Sequence, residues 1–166
     1  MRITILTTGG TIEKSYDEHN GSLRNARTTL PQLLATFRLP DLEITPRQIL
    51  FLDSLEMTDE HRHIILKETA QAAQHANAVI ILHGTDTLEK TGELLHERLS
   101  GLRIPVILTG AMRPYEFRDT DATQNVTESL LAARLLEPGV YVVMHNRVLR
   151  FPGVRKNREK LTFEHR

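Results

Sequence analysis

The run Val79-Ile80-Ile81-Leu82 constrains the fold of this chain more than any other stretch. It is apolar throughout, rich in β-branched residues and too short for a helix. Such a run needs cover on both faces, the condition of a central strand in a parallel sheet packed between helices. Ile3-Thr4-Ile5-Leu6, Pro105-Val106-Ile107-Leu108 and Val140-Tyr141-Val142-Val143 repeat the pattern. Stretches with helix-start signals lie between them. In Thr58-Asp59-Glu60, for example, a hydroxyl caps and two acids face the positive end of the dipole. The alternation predicts βαβ units, hence an α/β fold with a mainly parallel sheet flanked by helices. A length of 166 residues suits a single domain.

The spacing places strands over about 2–8, 78–82, 105–109 and 140–144, with a further strand over 42–52 split at Pro46. Residues 13–27 carry charge, Asn, Ser and Gly without periodicity and read as a long mobile loop. Pro31 opens a short helix at Leu30. The helix after Thr58 runs to about Ala76, with Ile64, Ile65, Thr69, Ala72 and Ala73 as its apolar stripe. The next begins at Asp86 or Thr87, with Glu89 placed as in a capping box, and ends near Ser100 before Gly101. A helix covers 123–136, and His145-Asn146 turns the chain into a hairpin with 147–149. The last stretch, 151–166, is basic and weakly patterned.

Several strands end in the same chemistry: Thr8-Gly9-Gly10-Thr11, Asp53-Ser54, His83-Gly84-Thr85-Asp86 and Thr109-Gly110. Parallel strands point one way, so these ends are expected to converge at one sheet edge, where open α/β sheets hold ligands. Thr11 and Thr85 are candidate nucleophiles, Asp86 a group that orients or ionises a relay, and Lys156 a base if desolvated. Either threonine alone reads more simply as a helix cap; both together with Asp86 favour chemistry. Tyr16 in the loop is a candidate for proton transfer, or an ordinary loop tyrosine. Ser54 binds a carboxylate or caps the following helix. His83 reads as hydrogen-bonded core, and His61 with His63 as surface rather than a metal pair.

Other classes are disfavoured. The formal net charge is zero, so no global field recruits nucleic acid or an anionic membrane. Walker and Rossmann glycine patterns are absent. Cysteine is absent, excluding disulfides and thiolate chemistry and fitting a cytoplasmic location. No apolar run approaches the roughly 20 residues of a membrane span, and Met1-Arg2 leads into the first strand without room for a signal peptide.

Thr8-Gly9-Gly10-Thr11-Ile12 together with His83-Gly84-Thr85-Asp86-Thr87 resembles the bacterial-type L-asparaginase family. Gly110-Ala111-Met112-Arg113-Pro114, Asp121 with Asn125, and the stretch from Val142 to Lys156 extend the likeness over essentially the whole chain. The resemblance implies conversion of L-asparagine and water to L-aspartate and ammonia, with weak glutaminase activity as a side reaction. It implies Thr11 as the nucleophile forming an acyl-enzyme, and Thr85 as a second essential threonine linked to Lys156 in a Thr-Lys-Asp relay. Asp86 then holds the substrate's α-amino group, Ser54 its α-carboxylate, and the Ala111 carbonyl accepts from the leaving amide nitrogen. No metal or organic cofactor is implied, and a homodimer or tetramer is expected by analogy.

The chain departs from the family pattern at Glu13, where a small residue is usual, at Leu55, where glutamine is common, and at Tyr16, which lies closer to Thr11 than the family's loop tyrosine. It matches the catalytic first domain and lacks the smaller second one, whether as a natural short form or a truncation. The rival readings are a non-catalytic amino-acid-binding module and an amidase subunit of a transfer-RNA amidotransferase. Neutral charge and the lack of an added domain weigh against the latter.

Overall fold

The structure, a computed structural model, describes residues 1–165. Its centre is a six-stranded sheet built from β1 (Arg2–Gly9), β4 (Glu43–Leu52), β5 (Ala78–Leu82), β6 (Pro105–Thr109), β7 (Gly139–Met144) and β8 (Arg147–Arg150). Their order is β4-β1-β5-β6-β7-β8, with every pair parallel except β7 and β8. β5 is buried at every position, as its unbroken apolar sequence requires. Four α-helices flank the sheet: α1 (Leu30–Ala35), α2 (Asp59–Ala72), α3 (Leu88–Arg98) and α4 (Ala122–Leu135).

Strand alternation sorts the core into two layers. Ile3, Ile5, Ile80, Leu82 and Ile107 pack with Leu30 and Leu33 of α1 and Val126 and Leu130 of α4. On the other face Leu6, Val79, Ile81, Val106 and Leu108 pack with Ile65 of α2 and Leu88 and Leu95 of α3. Phe151 belongs to this second layer, and its ring lies against Gly92 so closely that a Cβ there would overlap it. Gly92→Ala is therefore expected to destabilise the fold by about 1–3 kcal/mol through overpacking, although alanine is the better helix former. Urea unfolding of the two forms measures the difference; an alanine variant at least as stable as wild type would show that the ring yields freely.

Several sequence-based expectations need correction. Residues 13–27 are not an irregular loop. A 3₁₀ turn (Thr11–Glu13) leads into a hairpin of β2 (Lys14–Asp17) and β3 (Ser22–Asn25). Gly21, at φ 61°, completes its turn, and Arg24 pairs with Asp17 across it. The strand over 43–52 is continuous through Pro46, because β4 is an edge strand and can lack one amide donor. In α2 the expected stripe is buried at Ile65, Thr69 and Ala72, but Ile64 is exposed while Arg62 is buried. That helix ends at Ala72 rather than Ala76.

The capping box at the start of α3 does not form. Thr87 stands at the N-cap without a side-chain cap bond, and Asp86 and Glu89 turn to other partners. The final stretch is ordered as a hairpin of β9 (Val154–Asn157) and β10 (Thr162–His165); Arg166 lies outside the described residues. Other elements follow the sequence closely. Gly101 is left-handed at φ 72°, and His145 and Asn146 both take positive φ in the β7–β8 turn. Among the described residues no helix is long and apolar enough to cross a membrane.

Candidate active site

Taking only the parallel strands, chain order runs second-first-third-fourth-fifth across the sheet, with β1 between β4 and β5. The chain leaves β1 towards β4 and leaves β5 the opposite way towards β6, so a crevice opens beyond the carboxyl ends of β1 and β5. Glycines follow closely on both strand ends, Gly10 after β1 and Gly84 two residues beyond β5. Gly10 has φ 76°, and a Cβ on it would lie 2.5 Å from the Gly84 Cα. A Cβ on Gly84 would in turn lie 2.6 Å from the Ser54 side chain. Backbone thus meets backbone with no side chain between, and the residues that follow, Thr11 and Thr85, are brought out at one edge. The convergence expected from the sequence is what the fold produces.

The hydroxyl of Thr85 accepts from Lys156 Nζ at 2.8 Å, and the same ammonium donates to Asp86 Oδ1 at 3.0 Å. Lys156 is 71 residues along the chain from Thr85. The β9–β10 hairpin delivers it, and Glu89 of α3 fixes that hairpin by accepting from the Lys156 amide at 2.6 Å. Its side chain is only 9% exposed, so the charge is largely desolvated against Asp86. Arg158 Nη1 also donates to Asp86 Oδ1, at 2.8 Å. Burial pushes the Asp86 carboxyl up, but the bonds from Lys156 and Arg158 outweigh it and hold the group below its ordinary value.

Ser54, in the 3₁₀ turn after β4, is 1% exposed, and its Oγ has no hydrogen-bond partner. A buried hydroxyl without a partner is costly, and here it lies beside Gly84 at the crevice. Its carbonyl accepts from Thr87 at 2.8 Å, which ties the β4 end to the start of α3. Asp53 beside it is bridged to Lys14 at 2.6 Å. Ala111 is buried in the loop after β6. Asp121 clamps that loop by accepting from the amides of Met112, at 2.9 and 3.0 Å, and Arg113, at 3.0 Å. Against the upward push of burial, the bond from His145 and these amides hold the Asp121 carboxyl down at about 2.

Not every expected residue joins this group. Lys156 bonds to Thr85 and Asp86, not to Thr11. Thr11 is half-buried and reaches the edge through its backbone. Tyr16 lies on β2 with 59% exposure, and a Cβ on Gly21 would be 3.9 Å from its hydroxyl, so that hydroxyl faces its own hairpin turn. The base of the hairpin is fastened to the site, since Asn25 donates to the Gly10 carbonyl at 3.3 Å. His83 is buried core, as read from sequence. Its Nδ1 donates to the Gly84 carbonyl, and burial lowers its pKa to about 4, leaving Nε2 to accept from Thr91.

Glu13 is a residue whose role the sequence did not disclose. It is fully buried two positions after Thr11 and accepts from the Gly9 amide at 3.2 Å and from Thr28. It thereby ties the turn carrying Thr11 to the start of α1. Burial raises its pKa, only partly offset by these hydrogen bonds. Since the folded value lies above the ordinary 4.5, its stabilising contribution is complete at lower pH and declines as pH rises through the folded value. Glu13→Gln keeps the shape without the charge. Wild type is expected to lose stability relative to this variant as pH climbs from below 4.5 towards neutrality; parallel urea midpoints across pH would refute the raised value.

This geometry is that of an open α/β protein with a polar strand-end site, built from hydroxyls, a lysine and a carboxylate. The chain belongs to the asparaginase family: residues 2–162 match the model of the family's N-terminal region. It is 32% identical over 149 residues to the L-asparaginase of Thermococcus kodakarensis, covering 90% of this chain and 45% of that protein. The solved structure of that thermostable L-asparaginase superposes with a TM-score of 0.91, covering 99% of this chain and 51% of its own. L-asparaginase I from Vibrio cholerae gives 0.85 at 27% identity, with coverage of 99% and 51%. A glutamyl-tRNA(Gln) amidotransferase subunit from Pyrococcus furiosus is 35% identical over 145 residues, covering 86% of this chain and 33% of that protein. The chain therefore spans about half the length of these relatives, or less.

Proposed function

We propose that this chain is an amidohydrolase that converts L-asparagine and water to L-aspartate and ammonia. The observation that carries the reading is the bonded Thr85–Lys156–Asp86 group beside the touching Gly10–Gly84 pair, with Thr11 on the other strand end. In this reading Thr11 Oγ attacks the side-chain amide carbon. The C–N bond breaks, ammonia leaves with an added proton, and water hydrolyses the resulting ester to aspartate. Thr85 and Lys156 relay the proton. Asp86 receives the α-ammonium, Ser54 Oγ donates to the substrate, and the Ala111 carbonyl faces the leaving nitrogen. Tyr16 belongs to this reading as a residue of the hairpin that closes over substrate, which requires its hydroxyl to turn from Gly21.

Glutamine differs by one methylene, worth about 1–3 kcal/mol of discrimination, so weak glutaminase activity accompanies the assignment. A homo-oligomer and a cytoplasmic location are part of the same reading. The first is supported by exposed Leu131, Leu135 and Val148, the second by the cysteine-free composition. Likeness to the amidotransferase chain favours a second reading, in which this protein hydrolyses an amide to supply ammonia to a partner subunit. Ammonia release from asparagine and from glutamine, each against a substrate-free control, separates them. Asparagine turnover by the chain alone supports the first reading. Silence until an amidotransferase partner is added supports the second.

A further inference from the structure

Arg158 is the first residue beyond β9, and its backbone is held by a pinned turn. Asn157 Oδ1 accepts from the amides of Glu159 and Lys160 at 3.1 and 2.9 Å, while Asn157 Nδ2 donates to Glu164 at 3.1 Å. From this anchored position the guanidinium reaches Asp86, ahead of α3, yet its side chain is 67% exposed. It touches the same carboxylate oxygen, Oδ1, that Lys156 already holds. Among the described residues, Asp86 Oδ2 accepts no hydrogen bond and Arg158 donates no other side-chain bond. An exposed arginine spent on an oxygen that is already paired gains little stability. The rim of the crevice therefore presents one open carboxylate oxygen beside the remaining donors of a planar guanidinium.

That arrangement is complementary to a zwitterion. An α-ammonium placed on Asp86 Oδ2 would be a third cation around one carboxylate, and a carboxylate attached to the same carbon offsets it if it meets the guanidinium. Arginine donors match a carboxylate in a two-point fork. Ser54 Oγ, buried without a partner beside Gly84, is a further unused donor close by. We propose that Arg158 is a substrate-binding residue that receives the α-carboxylate of an amino-acid amide, or of its acid product, while Asp86 Oδ2 receives the α-ammonium. The inference rests on the reading of this crevice as an amino-acid site.

The test compares L-aspartate with β-alanine, which is aspartate without its α-carboxylate, by titration calorimetry on the full chain. Wild type is expected to bind aspartate about tenfold or more tightly than β-alanine, and Arg158→Gln to reduce that ratio to about twofold. Arg155→Gln is the control, since it removes a cation from the same hairpin that pairs with Glu164 instead. It is expected to leave the ratio at the wild-type value. An unchanged ratio in Arg158→Gln overturns the proposal, as does tighter aspartate binding, which would make the guanidinium a plug on Asp86. Wild type binding neither compound overturns it too. Ammonia release from asparagine is measured in parallel. Aspartate binding that depends on Arg158 without ammonia release removes the hydrolase reading and leaves the anchor standing. Turnover with an unmoved ratio removes only Arg158.

Discussion

Thr11→Ala is expected to reduce ammonia release from asparagine by about 10⁴-fold while aspartate binding stays close to wild type. The size follows from covalent catalysis. On the proposed mechanism no acyl-enzyme forms without the hydroxyl, and only positioning and polar stabilisation of the carbonyl remain. The fold has little stake in this side chain, because Thr11 is half-buried and its turn is held by Glu13 and by the Gly10 amide bonded to the Leu52 carbonyl at 3.0 Å. Thr11→Ser, which keeps the hydroxyl and drops the methyl, is expected to restore most of the rate. Activity of the alanine variant within about tenfold of wild type would transfer the nucleophile's role elsewhere.

Lys156→Met is the second large effect, with a fall in kcat of about 10³-fold or more. The substitution keeps an apolar stem of similar length but removes the amine that bridges Thr85 Oγ1 and Asp86 Oδ1. If threonine and lysine act as one relay, Thr85→Ala costs a similar factor, and the double variant is scarcely worse than either single one. Multiplying effects in the double variant would show that the 2.8 Å contact is structural and that the two groups work separately. Because Lys156 also neutralises Asp86, unfolding of each variant by urea distinguishes lost chemistry from lost stability. Arg158 still faces Asp86 in the methionine form, so the fold is expected to persist.

Much of this architecture is legible in the sequence, for a specific reason. β5 and β6 are buried at every position, and a strand with no solvent face is almost wholly apolar, so the pattern marks where they lie. The β7–β8 turn is read from His145-Asn146 because positive φ at consecutive positions favours residues such as asparagine. The strand-end site is inferable from glycine and hydroxyl residues recurring after parallel strands. The misread stretches are half-exposed. The β2–β3 hairpin lies outside the main sheet and presents charge on both faces, so alternation is lost. The capping box at α3 fails because Asp86 pairs with the side chains of Lys156 and Arg158, and Glu89 accepts from the Lys156 amide of β9 instead of capping its own helix.

By itself, then, the order of residues determined the parallel sheet, its two apolar layers and the edge where Thr11, Ser54, Thr85 and Asp86 gather, because burial and strand direction are local consequences of pattern. Only the tertiary structure decided which threonine meets the lysine, that Glu13 is sealed beneath the Thr11 turn, that Ser54 Oγ is left without a partner, and that Arg158 shares Asp86 with Lys156. The first and last of those outcomes depend on the docking of a C-terminal hairpin some 70 residues along the chain from the groups it meets. Contacts of that separation are set by packing between elements, and no periodicity in the sequence encodes them.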